Sequence, residues 1–593
     1  MNKQSIRIGG ASGFWGDSSV GAPQLVRHGD IDFLVFDYLA ELTMSILASA
    51  RMKKPELGYA TDFVTVTMKS LMQEIAAKGI RVVSNAGGMN PHGCAAAIAA
   101  LAQEQGLTLR IAVVEGDDVM PLVPQLREAG VRDMQKGQPL PARVVSANAY
   151  LGALPVKQAL DAGADIVVTG RCVDSAVTLG VLMHAFGWSA DDHDRLAQGS
   201  LAGHIIECGA QTTGGLHTDW EQVPDWANIG YPVVDCQADG RFTVGKPPGT
   251  GGLVSTATVG EQILYEIGDP AAYILPDVVC DFTQVRLTQL GPDQVEVQGA
   301  RGRPPTDTYK VSATYVDGFR CNAQLTIVGV DAVKKAERTA EAILTRTRRL
   351  FAERGLGDYT RTHVDIVGAE SLFGPHAQAR GTREAVMRLA VMHPEKAALE
   401  LFAREVAPAG TSWSPGTTGS GSGRATPSPS IRQYAFLLDK GALHPAVVLD
   451  GVRTEVAVPA GVPLAPSAET PATEPVPVQM PGETEAVPLI TLAWGRSGDK
   501  GDTSNIGLIA RRPEYLPLIR AQVTPDTVRQ WLAHLVKGRV TRHDLPGFDA
   551  VNFVCEEALD GGGMASLRND PLGKGMAQIL LTMPVKVPKA WLT

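Results

Sequence analysis

Short apolar runs alternate with helical patterns through the first half of the chain. Residues 5–8 run into Gly9-Gly10-Ala11-Ser12-Gly13, and residues 31–36 (IDFLVF) end at Asp37. Residues 81–84 (RVVS) pass into Asn85-Ala86-Gly87-Gly88 and then an alanine-rich stretch, 95–102. Residues 108–114 (TLRIAVV) stop at Glu115-Gly116-Asp117-Asp118. Residues 165–169 (DIVVT) stop at Gly170-Arg171-Cys172, ahead of a helical pattern over 173–186. Strands without polar alternation are covered on both faces, so the pattern predicts an α/β body with a mainly parallel sheet flanked by helices. In such sheets ligands bind beyond the carboxyl ends of strands. Here those ends carry Gly, Asn, Asp, Glu and Arg.

The texture changes after residue 230. Runs at 285–287, 295–297 and 309–314 are β-branched and broken by Gly and Pro, which predicts a more antiparallel region, with 230–330 a candidate separate β-rich lobe. Residues 331–353 read as one long amphipathic helix, 363–367 as strand and 383–402 as helix. Residues 410–430 are a Gly/Ser/Thr/Pro loop, functional or disordered. Residues 459–487 are rich in Pro, Ala, Thr and Glu and read as a linker. Beyond it, strand patterns at 488–493, 550–555 and 578–585 and a helix at 525–536 make a small α+β domain. The expected organisation is a body over 1–458, a linker over 459–487 and a small domain over 488–593.

Composition narrows the function classes. Of 593 residues 44% are hydrophobic, enough for a sizeable core, and the net charge of -9 argues against a general nucleic-acid binder. No apolar run reaches the roughly 18–20 residues of a membrane span, and the opening stretch carries no apolar signal core. A cytoplasmic protein is expected, with no nucleic-acid or membrane partner. The seven cysteines are scattered and never form a CxxC pair, which predicts neither a disulfide framework nor a structural zinc site.

Six polar loops are candidates for chemistry, each weighed against an ordinary turn. In the first, Gly10, Ser12, Gly13 and Asp17 offer a backbone cradle for an anion, though the spacing is not that of a dinucleotide fingerprint. In the second, Gly87 and Gly88 shape a turn from which Asn85 and Asn90 can donate to a carbonyl, and His92 can act as acid or base. The third holds Arg171, suited to a carboxylate or phosphate, with Asp174 to orient it. In the fourth, 204–215 (HIIECGAQTTGG), Glu207 is a general base if burial raises its pKa. The fifth, with Lys246, Gly249, Thr250 and Gly251, is not a P-loop but can pair an anion. The sixth, 494–505 (WGRSGDKGDTSN), supplies Arg496, Asp499, Lys500 and Asp502 at a ligand or an interface.

Together these loops resemble the acyclic terpene utilization (AtuA-like) family. The carrying segments are Ile8-Gly9-Gly10-Ala11-Ser12-Gly13-Phe14-Trp15-Gly16-Asp17, Asn85-Ala86-Gly87-Gly88-Met89-Asn90-Pro91, Thr169-Gly170-Arg171, Lys246-Pro247-Pro248-Gly249-Thr250-Gly251-Gly252 and 493–502 (AWGRSGDKGD). The resemblance covers nearly the whole chain and implies a ferredoxin-like C-terminal domain. It also implies a place in the breakdown of branched acyclic compounds as CoA thioesters. The leading expectation is hydratase or lyase chemistry on an acyl-CoA or related carboxylate, with His92, Asp37 or Glu207 moving the proton and Asn85 and Asn90 stabilising the oxyanion. The other readings are a non-catalytic partner or assembly factor of a carboxylase, and a nucleotide-dependent enzyme. CoA is expected only as part of the substrate, no cofactor is specified, and a homo-oligomer is expected.

Overall fold

A computed structural model describes residues 4–419, 423–464, 478, 480 and 482–592. In chain order the first eight strands are β1 (Ser5–Gly10), β2 (Phe33–Phe36), β3 (Arg81–Ser84), β4 (Ile111–Glu115), β5 (Ser146–Ala149), β6 (Ile166–Thr169), β7 (Val233–Gln237) and β8 (Phe242–Gly245). β1, β2, β3, β6 and β4 lie side by side in that order, all parallel. Every residue of β2 is buried. The period of two explains it: Phe33 and Val35 join a core with helix Ala176–Phe186, while Leu34 and Phe36 join another with helix Lys69–Lys78.

The α/β class holds, and the parallel strands are the centre of an eleven-stranded sheet. β7, β8, Gln294–Gln298 and Arg286–Gly291 extend it antiparallel from β1, and Ala446–Leu449 and Val452–Glu455 extend it beyond β4. The β-rich stretch of 230–330 is therefore not a separate lobe. Four of its strands belong to the main sheet, and Thr308–Val328 belongs to a second one.

Thr308–Val328 pairs with β5 and Ser428–Asp439 along its first half, and with Glu384–His393 and Thr417–Gly419 along its second. This corrects two expectations. Residues 383–402 are not one helix: Glu384–His393 is a central strand, buried along nearly its whole length, and the helix is Lys396–Val406. A strand covered on both faces has no alternation to distinguish it from a buried helix. The 410–430 stretch is not all loop: it opens in the short helix Ala409–Ser412, holds the strand Thr417–Gly419 and ends at the start of the strand Ser428–Asp439. Most of the expected linker, and residues 420–422, lie outside the described residues.

The C-terminal part is a four-stranded antiparallel sheet in the order Ala493–Lys500, Thr503–Ala510, Ala550–Cys555, Val540–Leu545. The glycine-rich segment read as a loop is thus a β-hairpin. Its glycines allow helix Thr256–Leu264 to lie on the sheet: a Cβ at Gly507 would meet Leu264 at 2.5 Å, and one at Gly498 would meet Glu266 at 2.6 Å. Among the described residues no helix is long and apolar enough to cross a membrane.

Candidate functional site

The chain leaves β2 at Asp37, a buried carboxyl. Asn85, at the end of β3, donates from Nδ2 to Asp37 Oδ1 at 2.5 Å and accepts from the Tyr38 amide at 2.7 Å. Ser12 donates to the Asp37 carbonyl at 3.0 Å, so the first glycine-rich loop holds this acid in position. Burial pushes the Asp37 carboxyl well above the usual carboxylate range. The charges of Asp174 and Glu207 add to this, and Arg171 and Asn85 oppose it. Asp37 is a buried acid poised to hold its proton.

Arg171 follows β6 and is buried. It donates to Asp174 at 2.6 Å, and its guanidinium lies 4.1 Å over the Tyr150 ring. The Lys310 ammonium lies 5.0 Å from the same ring, and the Tyr150 hydroxyl donates to Glu41 at 2.5 Å. Burial works against a charged Glu41, but Lys310, Arg171 and the Tyr150 bond outweigh it and bring its pKa to about 2. Burial lowers Lys310, with Glu41 opposing. Asp117, beyond β4, accepts from the Arg171 amide and from Asn148, each at 2.8 Å, and burial raises it to about 6.

His204 ends helix His193–Ile206. Its Nδ1 faces Glu207 at 2.9 Å and its Nε2 the Ile263 carbonyl at 3.2 Å. Glu207 is raised by burial despite His204, and His204 is raised by Glu207 against its own burial. The approach that brings Glu207 here depends on Gly10 and Gly13: a Cβ at Gly10 would stand 2.6 Å from the Ile206 carbonyl oxygen, and one at Gly13 2.6 Å from Cys208.

The C-terminal hairpin completes the cluster. Lys500 is 3.3 Å from Glu266, and Lys574 is 3.4 Å from Glu266 and 3.6 Å from Asp499. Burial alone would lower Lys500, but Glu266, Tyr273, Asp174 and Glu41 together raise it. Asp499 rises to about 7 through burial and the neighbouring Glu266. Glu266 has a positive φ of 58°, unusual for a side-chain-bearing residue, and its amide donates to Asn505 of the hairpin at 3.0 Å. Lys500 acts on Glu41, Asp174 and Glu207, and Asp174 acts on Glu207, while half of the Lys500 side chain is accessible. These side chains form one charged cluster that water reaches at Lys500.

The structure brings together Asp37, Asn85, Arg171, Asp174, Glu207, Asp499 and Lys500. It uses other expected residues elsewhere. His92 is 56% exposed and pairs with Glu115 at 2.7 Å. Asn90 caps helix Pro91–Glu104, accepting from Gly93 at 3.0 Å and donating to the carbonyls of Pro55, Glu56 and Leu57. Gly87 fits against the Thr169 carbonyl, and Gly88 takes a φ of +50°. Asp17 accepts from the Gly13 amide and the Tyr231 hydroxyl, so it braces the loop. Lys246 pairs with Asp293 at 3.1 Å and donates to the Thr250 carbonyl at 2.9 Å. Gly249 turns that loop at positive φ, and Gly251 packs against the Asp225 carbonyl. Arg496 forms a buried pair with Glu261 at 3.1 Å, and Asp502 takes Lys136 at 2.8 Å and the Gly561 amide at 2.8 Å. Both tie the hairpin down.

Sequence reasoning missed Glu41, Tyr150, Tyr265, Glu266, Tyr273, Lys310 and Lys574 as site residues. The one local signal was a lysine, Lys310, inside an otherwise β-branched run. Among the described residues, no group of three or more His, Cys, Asp or Glu side chains is arranged to hold a metal ion.

A family model described as acyclic terpene utilisation family protein AtuA matches residues 6–449. A second, described as the AtuA ferredoxin-like domain, matches residues 487–586. Comparison with curated proteins found no match.

Proposed function

The chain belongs to the acyclic terpene utilisation family, AtuA, and from that membership we propose that its interdomain chamber carries out acid–base chemistry on a branched unsaturated acyl thioester or related carboxylate, adding or removing water. The carrying observation is a buried acid, Asp37, in one charged cluster with the His204–Glu207 contact at 2.9 Å and the cations Arg171 and Lys500. A carboxyl raised by burial and a second, histidine-paired carboxyl supply the acid and the base that such a site requires.

In the hydration direction, Glu207 accepts a proton from water as the hydroxyl oxygen bonds to the β-carbon. The electrons of the carbon–carbon double bond move to the carbonyl oxygen, where Arg171 and Lys500 stabilise the negative charge. Asp37 then delivers its proton to the α-carbon as the carbonyl re-forms. Transfer of the proton from Glu207 to Asp37 restores the resting state, and the substrate has gained one water. Asn85 positions the Asp37 carboxyl, and the Tyr150 ring contacts both Arg171 and Lys310.

The test is incubation of the purified full chain with a panel of branched α,β-unsaturated acyl thioesters, followed by mass spectrometry. The reading expects gain or loss of one water, with Glu207→Gln slowed by about a hundredfold or more. No turnover across the panel, together with no ligand-induced rise in melting temperature, contradicts it.

A further inference from the structure

A second cavity, of about 490 Å³, opens between the C-terminal hairpin and the loops after residue 213. That volume is within the usual range of small-molecule pockets, roughly 300–1,000 Å³. Its walls are mostly apolar, and three large hydrophobic side chains at the cavity stand in contact with solvent: Leu216 is 67% exposed, Trp220 55% and Trp226 58%. Leu216 also has a φ of +60°, a backbone region that costs a leucine of the order of 1 kcal/mol or more. A strained residue that turns a large apolar side chain into water gains nothing by it in the unliganded chain.

The lining also includes Tyr265 and Lys574. The Lys574 ammonium bonds the Tyr265 hydroxyl and reaches Glu266 and Asp499, which belong to the acid–base chamber. Lys574 therefore stands at both the cavity and the charged cluster. Lys574 is already engaged by two carboxylates and Arg496 by Glu261, so neither is a free seat for a phosphate group. The two tryptophan rings meet edge to face, 5.8 Å apart at 69°, and do not form a parallel clamp for a flat heteroaromatic ring.

We propose that this cavity is a separate binding subsite for a flexible aliphatic chain, walled by Leu216, Trp220, Trp226, Ile229, Tyr265 and Ala577, with the polar head of the same ligand directed past Lys574 into the chamber. The chamber reading supplies what lies beyond Lys574; the subsite itself is tested without turnover.

The experiment is calorimetric titration of the full-length protein with butanoate, hexanoate, octanoate and decanoate. Affinity should rise by about fourfold for each methylene until the cavity is filled. Trp226→Ala and Leu216→Ser, both at exposed positions and checked for an unchanged melting temperature, should flatten that increment to less than about twofold. Lys500→Met should keep the increment, so that a failed subsite and a failed chamber give different results. Affinity independent of chain length, an increment unchanged in both variants, no binding of any of the four acids, or tighter binding of adenosine diphosphate than of decanoate would each overturn the proposal.

Discussion

Lys500 Nζ stands 3.3 Å from Glu266 Oε2, across 234 positions of chain. Glu266 follows the helix on which the C-terminal sheet rests, and Lys500 lies at the tip of that sheet's first hairpin. The contact joins the seam of the small domain to a cluster of buried carboxyls. The stabilities and activities of variants should sort accordingly.

Asp499 should give the seam a pH dependence. Its carboxyl is pushed up to about 7 by burial and Glu266, while Lys574 and Lys500 pull the other way and Glu41 adds to the rise. A folded-state pKa above the unfolded value of about 3.9 contributes stability that is complete below that value and is lost as pH rises to about 7. Relative to wild type, Asp499→Asn should gain stability over that window and run parallel to it above. Urea unfolding midpoints across the window check this, and parallel profiles throughout would refute it.

Arg496→Met should loosen the two parts of the chain. It removes a guanidinium bonded to Glu261 and Gln211 and leaves Glu261 buried beside His217 and Thr218. Breaking a buried pair from one side costs about 3–5 kcal/mol. The expected outcome is a lower melting temperature and faster proteolytic release of the C-terminal domain. Glu261→Gln sets an amide NH2 against donors that a carboxylate oxygen accepts from, and should lower the melting temperature as well.

Two residues expected from sequence to act in catalysis should behave as ordinary helix-start residues. His92→Ala should leave turnover within about twofold, because the side chain is exposed and paired only with Glu115 at the surface. Asn90→Ala should cost about 0.5–2 kcal/mol of stability through the lost cap, with little change in the pH profile of turnover. A shifted profile in either variant would return that residue to the site.

Gly10→Ala tests the packing that brings the dyad to the sheet. The new methyl would meet the Ile206 carbonyl at 2.6 Å, one residue before Glu207. Overpacking of this kind costs about 1–3 kcal/mol. Melting temperature and turnover should fall together, whereas a loss confined to stability would separate the helix end from the chemistry.

Much of the architecture was legible because short apolar runs bounded by Gly, Asn and Asp alternate with longer helical patterns. The ends of β2, β3 and β6 could be read as candidate site positions, and Asp37, Asn85 and Arg171 lie together there in one buried cluster. The 383–402 segment misled because a strand covered on both faces looks like a buried helix. The hairpin of Ala493–Lys500 misled in the opposite sense. Its glycines serve close packing against Tyr265 and Glu266, and local composition cannot distinguish that role from a loop. Lys310, Glu41 and Glu266 were illegible for a third reason. Each sits inside or beside a regular element, and only tertiary contacts turn it toward the chamber. His92 failed because the same helix start that seats Asn90 as a cap turns the histidine outward.

The central claim is that a proton site built from the body works only with the lysine delivered by the C-terminal hairpin. The direct measurement is hydrogen–deuterium exchange at the α-carbon of a saturated branched acyl thioester in heavy water, a proton transfer that requires no net turnover. The account predicts exchange by the wild type, a loss of about a hundredfold or more in both Asp37→Asn and Lys500→Met, and near-normal exchange in His92→Ala. Exchange by Lys500→Met at the wild-type rate would contradict it.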